Sequence, residues 1–181
     1  MSLYTKTGDH GKSAVNNRKQ LDKSSVVFDV LGTLDELSTT LGFLHLSTIS
    51  DVKNIVINIQ NDLLIIGSVV AGRAFTVDLK KSCEKKVTDF ERLINIFTAK
   101  LPVLKTFILP GGCIESSYLH LSRVVCRRLE RVFVRFIRES GRKDLGIVEK
   151  YFNRLSDLLY VMARYSNKKR KFKDIIWKAL K

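Results

Sequence analysis

The segment Tyr4-Thr5-Lys6-Thr7-Gly8-Asp9-His10-Gly11-Lys12-Ser13 places hydroxyls, ammonium groups and two glycines within ten residues. Such a loop can wrap phosphate oxygens, because glycine lets the backbone approach closely and adopt the positive φ angles of an anion nest. It is not a P-loop. Lys6 stands where the first glycine of G-x-x-x-x-G-K-[ST] belongs, and no strand precedes it. Read alone, the segment is a surface turn with His10 at its exposed tip. A second cationic feature lies far downstream, where Arg123, Arg127 and Arg131 recur every fourth residue with Glu130 beside them. On a helix that spacing makes a slowly drifting stripe of forked, permanently charged donors suited to a triphosphate. On charge alone, a solvated arginine face explains the stripe equally well.

Other candidates sit near helix starts. Asp35 and Glu36, in Gly32–Leu37, interrupt an otherwise apolar helical pattern, where an ionised carboxylate requires a cationic partner. Phe107–Gly112 ends in a glycine pair that opens a long helical pattern, so a helix N-terminus there could face an anion or a flat ligand. Asn153, Asp157 and Tyr160 line the polar side of the last helical pattern. Cys83, Cys113 and Cys126 lack zinc-ligand spacing and read as free, mostly buried thiols. His45 and His120 fall within apolar helical pattern and read as packing residues. No metal cluster is expected.

These residues need helices to position them. Only two prolines interrupt the 181 residues, and five stretches carry apolar residues at spacings of three and four. They begin with Val27, Ile55, Leu79, Leu121 and Val148. Ser50 reads as the N-cap of the second, Pro102 closes the third and Gly141 stops the fourth. FTVDL and TFILP are β-like but too short to imply a sheet. The expected architecture is all-α: a five-helix up-and-down antiparallel bundle over residues 1–167, with residues 1–24 as an N-terminal loop. From Ser166 to Lys181 there are seven basic residues and one acid, within a chain of net charge +14. This tail, 168–181, reads as a solvated basic appendage through Lys171, and a short helix docking through Ile175, Ile176 and Trp177 is the alternative for its second half. No apolar run reaches the roughly 18 residues of a membrane span. A motif beginning at Tyr4 leaves no room for a targeting peptide, so the expected compartment is the cytoplasm.

Taken together, YTKTGDHGKS, GTLDELSTTLG, IQNDLLIIG, FILPGG, SRVVCRRLERV and NRLSDLLYVMARY, in this order across residues 4–167, resemble the signature blocks of PduO-type ATP:cob(I)alamin adenosyltransferases. The resemblance implies a five-helix bundle that forms homotrimers with sites between subunits. It implies transfer of the 5′-deoxyadenosyl group of ATP, carried with Mg²⁺, to the cobalt of cob(I)alamin, with release of triphosphate. Thr5, Lys6, Thr7, Gly8 and Ser13 match the family's ATP-wrapping loop, and Lys23 its nucleotide-binding lysine. Arg127, Glu130, Arg131 and Asn153 match its remaining ATP positions. Asp35 and Arg123 match an inter-subunit salt bridge on the corrinoid side, and Phe107 the aromatic residue beneath the corrin ring. The catalytic set implied is therefore Arg127, Phe107, Asp35 and Arg123, with a corrinoid reductase as a possible partner.

One departure is visible: Ser13-Ala14-Val15-Asn16-Asn17-Arg18-Lys19-Gln20 replaces a hydroxyl-rich, Gly-Gly segment. It motivates a rival reading as a weakened family member that carries cobalamin. The net charge motivates another, a basic helical nucleic-acid-binding protein, but neither a recognition helix nor interleaved exposed aromatics accompany it. Nucleic acid and membranes are not expected partners; small-molecule substrates are.

Overall fold

A computed structural model describes residues 8–15 and 20–178. Within them five helices form: α1 (Val26–Gly42), α2 (Ser50–Val70), α3 (Val77–Thr98), α4 (Ile114–Ser140) and α5 (Gly146–Lys169). The expected five-helix bundle is thus present. The order of packing is set by α5. This helix buries residues on more than one side, including Tyr151, Phe152, Leu155, Leu158, Leu159 and Met162. A helix apolar on several sides needs several neighbours, and α5 packs mainly between α4 and α3, while α4 also packs on α1, and α1 on α2. Aromatic rings lock the centre, with Phe133 edge-on to Phe152 at 5.2 Å and Phe90 tilted on Tyr151 at 5.0 Å.

The helix ends follow local chemistry. Thr76 caps α3 by accepting from the Leu79 N–H at 3.3 Å. Cys113 caps α4 through Sγ, which accepts from the Ser116 N–H at 3.4 Å. Gly141 ends α4 at φ 69°, a left-handed position. Ser50 is not the cap of α2. It already lies inside the helix, Ile49 holds the cap position, and the nearby hydroxyl of Ser47 accepts from the Ile49 N–H at 3.1 Å.

Two small antiparallel pairs lie outside the helices. β1 (Lys12–Ala14) pairs with β2 (Gln20–Asp22), with Ser13 opposite Leu21. β3 (Ile108–Leu109) pairs with β4 (Ile175–Ile176). The second pair corrects the expectation for the tail. α5 runs on to Lys169, and the chain then turns back as a strap whose strand lies along the FILPGG segment. Lys168, Lys169 and Lys171 are exposed as expected, but Arg170 donates to Glu115 and, at 2.9 Å, to Thr48 Oγ1. Ile175, Ile176 and Trp177 do dock, as strand and not as helix. Two β-branched residues in succession favour extended backbone, and the waiting edge of β3 supplies the hydrogen bonds.

Candidate active site

Helix α4 sorts its arginines. Arg128 is ion-paired with Glu36 and Arg135 with Asp29, both carboxylates on α1. Arg127 and Arg131, one turn apart, have no carboxylate partner among the described residues; Arg131 Nη1 donates instead to the Arg127 carbonyl at 3.0 Å. One residue of helix is about 100° of rotation, so the paired arginines face α1 while Arg127 and Arg131 are displaced to an exposed flank. The first set bridges α4 to α1. The second is available to an external anion.

Beside that flank, Asn153 Nδ2 on α5 donates to Glu130 Oε1 at 2.9 Å. Glu130 and Asn153 border a groove of about 480 Å³ between α3, α4 and α5, together with Glu91 and Arg154. Arg154 is not a spare cation there, because it bonds Glu91 at 3.1 Å and Asp157 at 3.0 Å. Glu130 and Asn153 therefore meet across α4 and α5, and Arg127 and Arg131 share the α4 flank beside Glu130.

The described residues of the N-terminal segment, 8–15 and 20–24, close on one another. Lys23 Nζ donates to the Gly8 carbonyl at 2.6 Å, and the Lys23 N–H to the Gly11 carbonyl at 2.8 Å. Asp22 accepts from the Ser24 N–H and hydroxyl, bonds that pull its carboxyl below the usual range. Gly8, Ser13 and Lys23 are thus brought together, while Thr5, Lys6 and Thr7 lie outside the described residues. The β1–β2 hairpin packs on none of the chain's helices among the described residues. The described part of this loop is therefore not brought to the arginine flank within one chain.

The residues matched to the corrinoid side are equally separate. Phe107 is 79% exposed immediately before β3. Asp35 is exposed, not buried in an apolar face, and borders a cavity of about 310 Å³ with Leu34, Leu63 and Gly67. Arg123 borders a different cavity, about 300 Å³, with Pro110, Gly111 and His120. Its Nε is buried without a partner. His120 is 4% exposed, and both its ring nitrogens are unpartnered. Burial, then the Arg123 charge, lowers its pKa to about 4, so the imidazole is neutral at pH 7. His45, by contrast, is exposed and bonded to Gln60 at 2.5 Å, so it is not a packing residue.

The thiols offer no nucleophile. Cys126 is fully buried and Cys113 nearly so, and burial raises both. Cys83 is pushed up to about 11 by burial and by the nearby Asp62. Sequence reasoning missed the network that secures the glycine turn. Asn167 Oδ1 accepts from the Cys113 N–H at 2.9 Å, and its Nδ2 donates to the Gly111 carbonyl and to Asp174. Asp174 in turn binds Arg164 Nε at 2.8 Å in a pair only 7% and 13% exposed. A lone acid in a basic tail was the available signal.

Among the described residues, fold and site define a helical bundle with an exposed arginine pair on α4 and a glycine-containing segment that closes on Lys23. The chain belongs to the cobalamin adenosyltransferase family, whose model matches residues 3–166. It is 37% identical over 185 aligned positions to the mouse corrinoid adenosyltransferase MMAB, covering 97% of this chain and 77% of that protein. It is 35% identical to the corrinoid adenosyltransferase of Bacillus subtilis, over 97% of this chain and 91% of that protein. A variant PduO-type ATP:corrinoid adenosyltransferase from Lactobacillus reuteri, solved with cobalamin and ATP, superposes with a TM-score of 0.89 at 29% identity. That match covers 98% of this chain and 97% of the other.

Proposed function

We propose that the chain transfers the 5′-deoxyadenosyl group of ATP to the cobalt of cob(I)alamin, giving adenosylcobalamin and triphosphate. The observation that carries this reading, beside family membership, is the division of the α4 arginines. Arg128 and Arg135 are spent on α1, while Arg127 and Arg131 have no carboxylate partner among the described residues. In the reaction, the cobalt lone pair attacks the ribose 5′ carbon and the C–O bond to triphosphate breaks. The leaving group carries about four negative charges, so prepositioned cations are the main catalytic device available to the protein. Arg127 and Arg131 take that role, assisted by Lys6 and Lys23, with the Glu130–Asn153 pair fixing the helix contact beside them. Thr5, Thr7, Gly8 and Ser13 wrap the nucleotide.

Mg²⁺ would be held chiefly by the phosphates of ATP and would help to neutralise their charge. No three His, Cys, Asp or Glu side chains converge on a metal position among the described residues, and Mg²⁺ is commonly held by substrate phosphates with few protein ligands. Phe107 lies under the corrin ring and excludes a lower axial ligand. The site is shared between subunits of a homotrimer; in support, among the described residues of one chain the hairpin packs on no helix, and Asp35 and Arg123 border different cavities. Arg123, with a buried and unpartnered Nε, meets Asp35 of a neighbouring subunit. A reductase that delivers cob(I)alamin is the implied protein partner. The cytoplasm is the compartment proposed; the three free thiols accord with a reducing environment, and no helix of the described residues is long and apolar enough to cross a membrane.

The deciding experiment mixes the purified protein with ATP and chemically reduced cob(I)alamin, and follows adenosylcobalamin by absorption and its photolysis. Multiple turnovers are expected. Binding of cobalamin without transfer would instead establish the carrier reading that the Ala14–Gln20 segment motivates.

A further inference from the structure

Phe107 has little to hold it. The residue is 79% exposed and stands at the entry to a strand only two residues long. A phenylalanine on such a strand can occupy more than one staggered rotamer. The C-terminal strap supplies the missing restraint from both backbone and side chain. The Trp177 N–H donates to the Phe107 carbonyl at 2.9 Å, extending the β3–β4 ladder by one bond. The Trp177 ring meets the Phe107 ring edge-on, with centroids 6.5 Å apart and planes at 75°. That is a favourable arrangement for two quadrupoles.

The strap is itself anchored three residues upstream of Trp177. Asp174 is tied to Arg164 and Asn167 on α5, and Asn167 grips the Gly111 carbonyl and the Cys113 N–H. The same asparagine thus joins the strap to the turn that follows Phe107. The position of the Phe107 ring is therefore set by a chain of contacts that begins on α5.

We propose that Trp177 is a positioning residue for Phe107, holding its ring where it excludes a lower axial ligand from the corrinoid cobalt. This rests on the reading of Phe107 given above. Trp177 does not touch the reacting atoms; it acts by restricting the ring that faces the corrin. Removing it leaves Phe107 present but rotationally free, so the fraction of cobalt lacking a lower ligand falls.

The test uses the full chain, Trp177→Ala and Trp177→Phe, each with ATP and cob(II)alamin. Electron paramagnetic resonance reports the fraction of four-coordinate cobalt, and turnover is measured from both cob(II)alamin and prereduced cob(I)alamin. Trp177→Ala is expected to lower the four-coordinate fraction and to slow turnover from cob(II)alamin by about tenfold to a hundredfold, as a misplaced group does. ATP affinity and turnover from cob(I)alamin stay near wild type, and Trp177→Phe restores most of the signal. If Trp177→Ala loses its helical circular dichroism, Trp177→Leu carries the same measurement. An unchanged four-coordinate fraction overturns the proposal, as does an equal loss of ATP binding in every Trp177 variant. A wild-type protein that never forms four-coordinate cobalt sinks the underlying reading of Phe107 instead.

Discussion

Asn167 Oδ1 lies 2.1 Å from the point where a β-carbon on Gly112 would stand. The asparagine needs that closeness to reach both the Gly111 carbonyl and the Cys113 N–H across the turn. Gly112 also sits at φ 117°. Gly112→Ala is therefore expected to destabilise the fold by about 2–4 kcal/mol, from clash and strained backbone together. Gly111→Ala has open space around it at φ 149° and should cost only about 1–2 kcal/mol of strain. Urea unfolding of the two variants checks the difference. Equal losses would show that Asn167 yields.

The two arginine sets on α4 should respond oppositely. Arg127→Ala is expected to weaken ATP binding and slow transfer by a combined 2–5 kcal/mol or so, with little change in melting temperature. Arg128→Ala breaks an exposed pair with Glu36 and should cost no more than about 1 kcal/mol of stability, leaving ATP affinity intact. Isothermal titration with a nonreactive ATP analogue, beside thermal melts, reads both. Normal ATP binding by Arg127→Ala would remove the stripe from the site.

Asp174→Ala strands a buried guanidinium. Arg164 keeps a bond to the Pro102 carbonyl at 2.9 Å but loses its charge partner. Removing one member of a buried pair typically costs about 3–5 kcal/mol. Deleting the strap from Lys173 onward should therefore be destabilising. Chemical denaturation of Asp174→Ala and Asp174→Asn checks this, and a variant as stable as wild type would mean the strap is only loosely held.

His120 gives stability a pH dependence of known sign. Its folded pKa is lowered to about 4, first by burial and then by the Arg123 charge. The unfolded chain titrates near pH 6.5, so between these values the unfolded state binds more protons. Stability must then fall as pH drops from about 6.5 toward 4, by on the order of 3 kcal/mol from this group. The full contribution is present above pH 6.5. His120→Phe should flatten that slope in unfolding curves collected across the range. A slope unchanged by the substitution would assign it to other groups.

Assembly offers a separate check. Leu121 and Val124 are exposed on α4 on either side of Arg123, which suits a face covered by another copy. Sedimentation at micromolar concentration should give a trimer for the wild type and a weaker one for Arg123→Ala. A stable wild-type monomer would defeat the shared-site model.

The helices were legible because their stripes are long: six apolar positions from Val27 to Leu44 leave little choice of period. The ATP-side residues of α4 and α5 were legible for the same reason, since helical spacing fixes which side chains share a flank. The strap was not. Two residue pairs, 108–109 with 175–176, carry no periodicity, and their contact spans the whole of α4 and α5. Charge dominated the reading of residues 168–181, yet the outcome turned on Asp174, a single residue that found a buried arginine. Ser50 was a plausible cap by type, but the chain entered the helix one residue earlier. His45 shows the limit of pattern: it falls within the apolar stretch but projects outward to Gln60.

The division of labour along α4 also makes that helix intolerant of changes in length. Arg128 and Arg135 are seven residues apart and reach α1, while Arg127 and Arg131 are four apart and do not. Inserting one residue ahead of Arg127 would turn everything beyond it by about 100°. Arg127 would then inherit the direction of Arg128 and be captured by Glu36, and the inserted residue would take the place vacated on the exposed flank. Every side chain would survive the insertion, yet the anion-facing strip would be gone. Length variation in this chain is therefore expected in the connections at 71–76 and 99–107, where one extra residue rotates nothing, and not within 114–140.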